Sequence, residues 1–152
     1  MKLFPDNVKR RVSVEIDLSA LERNYNRILK RVAPAQVMCV LKANAYGLGV
    51  ADYAKALLSA GCRRFGVAEP LEALELSRIL PPSLARVQIL SSVLPDEIPA
   101  MVKAGVVLPI NGIEEARAIS KAAKKLKLTA TVHFKIDTGM GRLGILAADA
   151  VE

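Results

Sequence analysis

Five short runs rich in apolar and β-branched residues recur along the chain, each separated from the next by a segment with helical periodicity. They are "QVMCVLKA" (36–43), "RFGVAE" (64–69), "RVQILSS" (86–92), "VVLPI" (106–110) and "TATVHFKID" (129–137). Most are continuously apolar, as expected of strands covered on both faces. A strand, a helical crossover and a further strand make a parallel pair, and intervals of roughly 20 to 27 residues suit a (β/α)8 barrel or an open doubly wound sheet. A closed barrel needs eight strands and typically about 250 residues. The 152 residues here carry about five, so the pattern predicts a partial barrel with crossover helices.

The helical segments carry their own signals. "LSALERNYNRILKRV" (18–32) sets Leu21, Tyr25, Ile28, Leu29 and Val32 on one face, and Ser19 with Glu22 has capping-box spacing. Asn111 with Glu114 repeats that start signal before a stripe of Ile113, Ala116, Ile119, Ala123 and Leu126. Pro70 suits a first helical turn, and Pro81–Pro82 ends the same helix. "VSVEIDL" (12–18) alternates like a strand, and "ILAADAVE" (145–152) reads as the start of another helix inside which the sequence stops. The chain is therefore expected to be truncated.

Composition narrows the function classes. With 52% hydrophobic residues, the chain is long enough for one sizeable core. The start lacks the apolar stretch of a secretory signal, and no run reaches the roughly 18–20 apolar residues of a membrane span, which together predict a cytoplasmic protein. A formal charge of +7 accompanies no Trp, six Phe and Tyr, and no concentrated basic stripe, so nucleic acid is not the expected partner. "KKLKL" (124–128) reads as a solvated helix end, where cations oppose the dipole favourably. Cys39 and Cys62 read as reduced packing residues, and a single histidine makes a zinc site improbable.

Two stretches carry chemistry. In "VLKANAYGLG" (40–49) a strand ends on Lys42, followed by Tyr46, Gly47 and Gly49. A strand end in a βα fold is where functional groups gather, and a neutral lysine amine suits Schiff-base chemistry. The alternative is a lysine snorkelling from the sheet. Tyr46 could donate to a phosphate while the glycines bring backbone N–H groups close to a ligand, although a plain turn accounts for them equally. "YGLG" is neither a Walker loop nor a GxGxxG fingerprint.

In "HFKIDTGMGRLG" (133–144), strand alternation sends Val132, Phe134 and Ile136 toward a helix layer and Thr131, His133, Lys135 and Asp137 toward the interior. Asp137 is a candidate partner for Lys135, and Arg142 offers a fixed cationic fork or is simply a surface arginine. His133 reads more readily as a core histidine than as a base.

Together, "KANAYGLG" and "KIDTGMGRLG" resemble the two signatures of alanine racemase, a pyridoxal-phosphate enzyme of the fold-type III group. "VEIDLSALERNYNRI" and "FGVAEPLEALELSRIL" resemble family segments in the same order, so the similarity covers nearly the whole chain. The resemblance implies that residues 1–152 are the N-terminal portion of a (β/α)8 barrel domain that binds pyridoxal 5'-phosphate. The family's C-terminal β-domain is absent from it, and "VSVEIDL" would join that domain.

It also implies that Lys42 forms the internal aldimine and acts as a proton-transfer base. Tyr46 would bond the cofactor phosphate, and Arg142 would contact the cofactor's phenolic oxygen and the substrate carboxylate. Lys135 matches a position carbamylated in many members. Leu48 departs from the family pattern, where many members have histidine. The complete enzyme would be a homodimer interconverting L- and D-alanine through an external aldimine, for peptidoglycan. The second base is a tyrosine from the partner subunit, outside this sequence, so the isolated chain is expected to lack racemase activity. A racemase of broader amino-acid specificity and a non-catalytic pyridoxal-phosphate-binding barrel protein are the competing readings.

Overall fold

A computed structural model describes residues 12–150. Its order is α1 (Leu18–Val32), β1 (Met38–Val40), α2 (Lys42–Tyr46), α3 (Val50–Ser59), β2 (Arg64–Val67), α4 (Pro70–Ile79), β3 (Arg86–Ile89), α5 (Ile98–Lys103), β4 (Leu108–Ile110), α6 (Ile113–Leu126), β5 (Val132–Phe134), β6 (Ile136–Asp137) and β7 (Ile145–Leu146), then a 3-10 turn at Ala147–Asp149.

The strands are parallel and neighbours in chain order. β1 pairs with β2 through Cys39↔Phe65, β2 with β3 through Phe65↔Val87, and β4 with β5 through Pro109↔His133. A single bridge, Gln88↔Val107, joins the two sheets. Ile89 N–H donates to Val107 O (3.1 Å) and Val107 N–H to Val87 O (2.8 Å) across that seam. The α/β alternation predicted from the sequence is therefore present from β1 to β5, with a helix between each successive pair, and the short β6 and β7 form a further parallel pair.

The core lies where the sheet meets these helices. Phe65, Val67, Ile89 and Leu108 from the strands are fully buried with Ala54, Ala73 and Leu76 from α3 and α4. At the density of a protein interior each large side chain there is worth about 1.5–3 kcal/mol of burial. Gly66 allows the strands to close over one another. A Cβ at this position would lie 3.0 Å from both Leu90 Cδ1 and Met38 Sδ.

Several local expectations are corrected. Helix α1 is capped by Asp17, whose carboxylate accepts from Ala20 N–H (3.0 Å), not by Ser19. Asp17 also meets Arg23 at 3.3 Å, and these bonds lower its pKa against the opposing effect of burial. On the predicted stripe Tyr25 is buried, but Ile28 and Val32 are exposed. Helix α6 begins after Gly112, and Asn111 reaches Glu115, whereas Glu114 pairs with Arg117 at 2.7 Å. Ile113 is exposed while Ile119 and Ala123 are buried.

Residues 12–17 form no strand, and Val12, Val14 and Ile16 are exposed. Ile145–Leu146 does not open a helix but pairs with Ile136–Asp137. The basic run does close α6, with Lys124 and Lys125 in the last turn and Lys127 in a left-handed cap. Cys39 and Cys62 are free thiols, Cys62 fully buried and donating to Arg64 O. No described helix is long and apolar enough to cross a membrane.

Candidate active site

The carboxyl ends of parallel strands are where βα folds place their chemistry. The β1 strand is shorter than its apolar run suggests. Its last sheet bond beyond Val40 is Leu41 N–H to Gly66 O (2.8 Å), and the chain then reverses its hand. Ala43, Asn44 and Ala45 have φ of 52–53° and ψ of 48–49°, and Tyr46 has φ 56°. A left-handed conformation costs about 1–2 kcal/mol per L-residue, so four in a row need external support.

That support comes from three directions. Inside the turn, Ala45 N–H bonds Leu41 O (3.0 Å), Gly47 N–H bonds Ala43 O (2.8 Å) and Gly49 N–H bonds Asn44 O (3.0 Å). Toward α3, Asn44 Oδ1 accepts from Val50 N–H (2.8 Å) at the start of that helix. From α4, Glu72 Oε1 accepts from Ala43 N–H (2.5 Å). Gly47 and Gly49 therefore serve the turn, at φ 83° and 97°, and their N–H groups are occupied within it. The plain-turn reading of the two glycines accounts for these bonds.

The turn buries Ala45 and leaves Lys42, Asn44 and Tyr46 exposed. Among the described residues, the Lys42 amine has no hydrogen bond or ion pair. An apolar recess of about 350 Å³, lined in part by Tyr25, Leu41, Tyr46 and Leu48, lies beside the turn. Leucine at 48 suits that lining, where an imidazole would lose part of its hydration.

The second motif divides its polar residues among different tasks. Lys135 N–H continues the sheet to Ile110 O (3.0 Å), and its Nζ donates to Leu90 O at the end of β3. Asp137 does not pair with it. Instead Asp137 Oδ1 accepts from Gly139 and Met140 N–H (both 2.9 Å), and Oδ2 from Gly141 N–H (2.9 Å). Bonds from Gly139 and Gly141 foremost hold its pKa below the ordinary carboxylate value.

Gly144 closes the loop at φ 110°, where a Cβ would stand 2.9 Å from Asp137 N and Lys135 O. Arg142 is exposed on this loop with no side-chain bond among the described residues. Val132, Phe134 and Ile136 are also exposed, contrary to their predicted cover by helices. His133 is half-buried, and its Nδ1 has no hydrogen-bond partner among the described residues. Burial first, then the Lys135 charge, lowers its pKa.

The structure thus places Lys42 and Tyr46 on one turn and ties Lys135 to β3, while Arg142 makes no bond to any of them. The sequence reading missed Glu72, Asn44 and Ser91, and took Asn111 only as a helix start. Ser91 Oγ donates to Ala68 O, and Asn111 Nδ2 reaches Ser92 Oγ at 3.5 Å, so these groups link neighbouring strand ends. The Glu69-to-Glu72 spacing was the one available signal for Glu72. No group of three or more metal-ligating side chains is found among the described residues.

A parallel βα sheet of the TIM-barrel type, with a solvent-facing amine at one strand end, defines a class. The particular family follows from comparison with known proteins. The alanine racemase N-terminal domain model matches residues 16–152. An alanine racemase from Halothermothrix orenii is 36% identical over 145 residues, 95% of this chain and 38% of its own length. The crystal structure of alanine racemase from Bartonella henselae with covalently bound pyridoxal phosphate superposes with a TM-score of 0.79 at 32% identity, over 88% of this chain and 37% of that one. A histidine racemase from Leuconostoc mesenteroides gives 0.78 at 28%, over 85% and 34%. The chain belongs to the alanine racemase N-terminal domain family. It spans less than two fifths of the lengths of these three relatives.

Proposed function

We propose that residues 1–152 are the N-terminal portion of a (β/α)8 barrel that holds pyridoxal 5'-phosphate on Lys42, and that the complete protein interconverts L- and D-alanine. The observation that carries this reading is the exposed Lys42 amine, free of hydrogen bonds and ion pairs among the described residues, at the carboxyl end of β1. The donor set fits the group: a primary amine for an aldehyde, the exposed Tyr46 hydroxyl on the same turn for a phosphate, and the exposed Arg142 fork for an oxyanion.

When bound, the cofactor supplies an electron sink that acidifies the substrate Cα–H. Lys42 would hold the cofactor through its amine and, once released, take or return the alanine Cα proton on one face. Tyr46 would donate to the phosphate. Arg142 would hold the phenolic oxygen and orient the substrate carboxylate. Lys135 is the proposed carbamylated lysine, an anion that would position Arg142.

One base exchanges a proton on one face, and racemisation needs a second. We therefore expect the isolated 152-residue chain to lack racemase activity, and we propose that the complete enzyme is a cytoplasmic homodimer supplying D-alanine for peptidoglycan. The likeness to a histidine racemase favours a second reading, an amino-acid racemase of other or broader specificity. A panel of L-amino acids, including alanine and histidine, offered to the full-length protein separates the two.

The cofactor assignment is tested by adding pyridoxal 5'-phosphate, reducing with borohydride and mapping the modified lysine by peptide mass spectrometry. Labelling confined to Lys42 and abolished in Lys42→Ala supports the reading. Labelling scattered over the other lysines overturns it.

A further inference from the structure

We propose that Glu72 is a positioning residue for Lys42: its carboxylate clamps the left-handed turn carrying that lysine to the β2–α4 loop and so sets where the amine stands. This rests on the reading of Lys42 as the cofactor lysine. The clamp itself rests on geometry alone. Glu72 Oε1 accepts from Ala43 N–H (2.5 Å), the residue directly after Lys42. Oε2 accepts from Ala68 N–H (2.8 Å) and Glu69 N–H (3.4 Å). One half-buried carboxylate thus gathers donors from two separate strand ends.

Helix capping explains only part of this arrangement. The Glu69 bond belongs to a capping box at the start of α4, which Pro70 opens, and the same oxygen takes the N–H of Ala68 just before the cap. A glutamate serving that box alone has no need of Ala43. The third bond joins residues 29 apart in sequence, and it falls on the first residue of the left-handed run. Without it, the Ala43 N–H faces a turn whose remaining bonds are internal or directed to α3. The turn would then be free to relax toward the right-handed region, and Lys42 would move with it. The first turn of α4 also favours a negative group at this position.

Only an acceptor on both arms satisfies the three donors. In Glu72→Gln one arm becomes an NH2 that opposes an N–H. The amide oxygen can still serve the α4 box, so the helix is retained while the grip on Ala43 is lost. Glu72→Ala removes both and tests whether α4 folds without its cap.

The test uses the whole 152-residue chain with two readouts. Amide hydrogen exchange, resolved by NMR or peptide, compares residues 43–49 with α4. Borohydride trapping of pyridoxal 5'-phosphate gives the rate at Lys42 and its selectivity over other lysines. In Glu72→Gln we expect exchange at 43–49 to rise tenfold or more with α4 unchanged, and the Lys42 trapping rate and selectivity to fall by a similar factor.

Unchanged exchange at 43–49 overturns the clamp. Looser exchange with undiminished trapping at Lys42 overturns the positioning role. Absence of selective Lys42 trapping in the unsubstituted chain overturns the cofactor-lysine reading instead, and exchange still decides the clamp. If Glu72→Gln loses α4 protection as well, the carboxylate acts through the helix and the proposed division of its two arms is wrong.

Discussion

Replacing Gly144 with alanine isolates the loop that carries Arg142. Gly144 has φ 110°, and an added Cβ would lie 2.9 Å from Asp137 N and Lys135 O and 3.1 Å from Ile136 C. All three are backbone atoms, which no side-chain rotation can move aside. A non-glycine residue in such a conformation costs about 1–3 kcal/mol, and the overlap raises the penalty to about 3–5 kcal/mol. The segment's opposing ties are few. β7 is two residues long and among the described residues pairs only with β6, and Ile145 N–H donates to Lys135 O (2.9 Å). At about 0.5–1.5 kcal/mol net per bond, two ladder bonds contribute about 1–3 kcal/mol. Detaching therefore costs less than staying docked with the clash.

The expected result is local release. Amide exchange at Ile145 accelerates more than about tenfold, equivalent to about 1.4 kcal/mol, while Phe65 in β2 keeps its protection. Residue-resolved hydrogen exchange by NMR measures both. Unchanged protection at Ile145 would refute the steric argument. Equal loss at Ile145 and Phe65 would refute the claim that the penalty stays within the loop.

Three other outcomes are expected. Phe65→Ala, which empties a fully buried site, should cost about 3–5 kcal/mol; at about 2–4 °C per kcal/mol the thermal midpoint falls by roughly 6–20 °C in a calorimetric scan. Because Asp137's pKa is lowered in the folded chain, the stability it gives the glycine loop is complete above the unfolded carboxylate pKa. It is lost as pH falls through the folded value, so amide protection at Gly139–Gly141, taken relative to intrinsic exchange at each pH, should fall there, and Asp137→Asn should remove that acid dependence. Lys135→Met should raise the His133 pKa only part of the way toward its ordinary value, since burial is the larger cause of its depression and persists; imidazole proton shifts followed against pH provide the check.

The parts of the fold legible in sequence were those set by periodicity. Continuous apolar runs located β1 to β5, and Pro70 and the basic end of α6 marked helix limits. Helix starts were less legible because capping is a competition among neighbouring acceptors: Asp17 displaced Ser19, and Glu115 displaced Glu114. At the site, chemistry showed in residue type, so Lys42, Tyr46, Lys135 and Arg142 were singled out. Their surroundings did not. Asn44 is the one residue in "ANAY" that tolerates a left-handed turn, whereas alanine and tyrosine disfavour it, and the run is held by local bonds together with one from Glu72, 29 residues away. Asp137 showed the same limit. Proximity to Lys135 suggested an ion pair, but four backbone N–H···O contacts from three residues outcompeted it.

The narrow seam between β3 and β4 bears on how the polypeptide comes apart and forms. β1 to β3 share a continuous ladder, whereas β3 and β4 meet at one bridge, strapped by the Lys135 side chain reaching back to Leu90 O. The ladders of β1 to β3 therefore need no backbone bond from the later strands, and under force or mild denaturant this line offers the fewest backbone bonds to break, with the apolar core shared across it as the remaining tie. Lys135 spans that line from the β5 side, its amine donating to the carbonyl that follows β3, and Asn111 crosses it to Ser92.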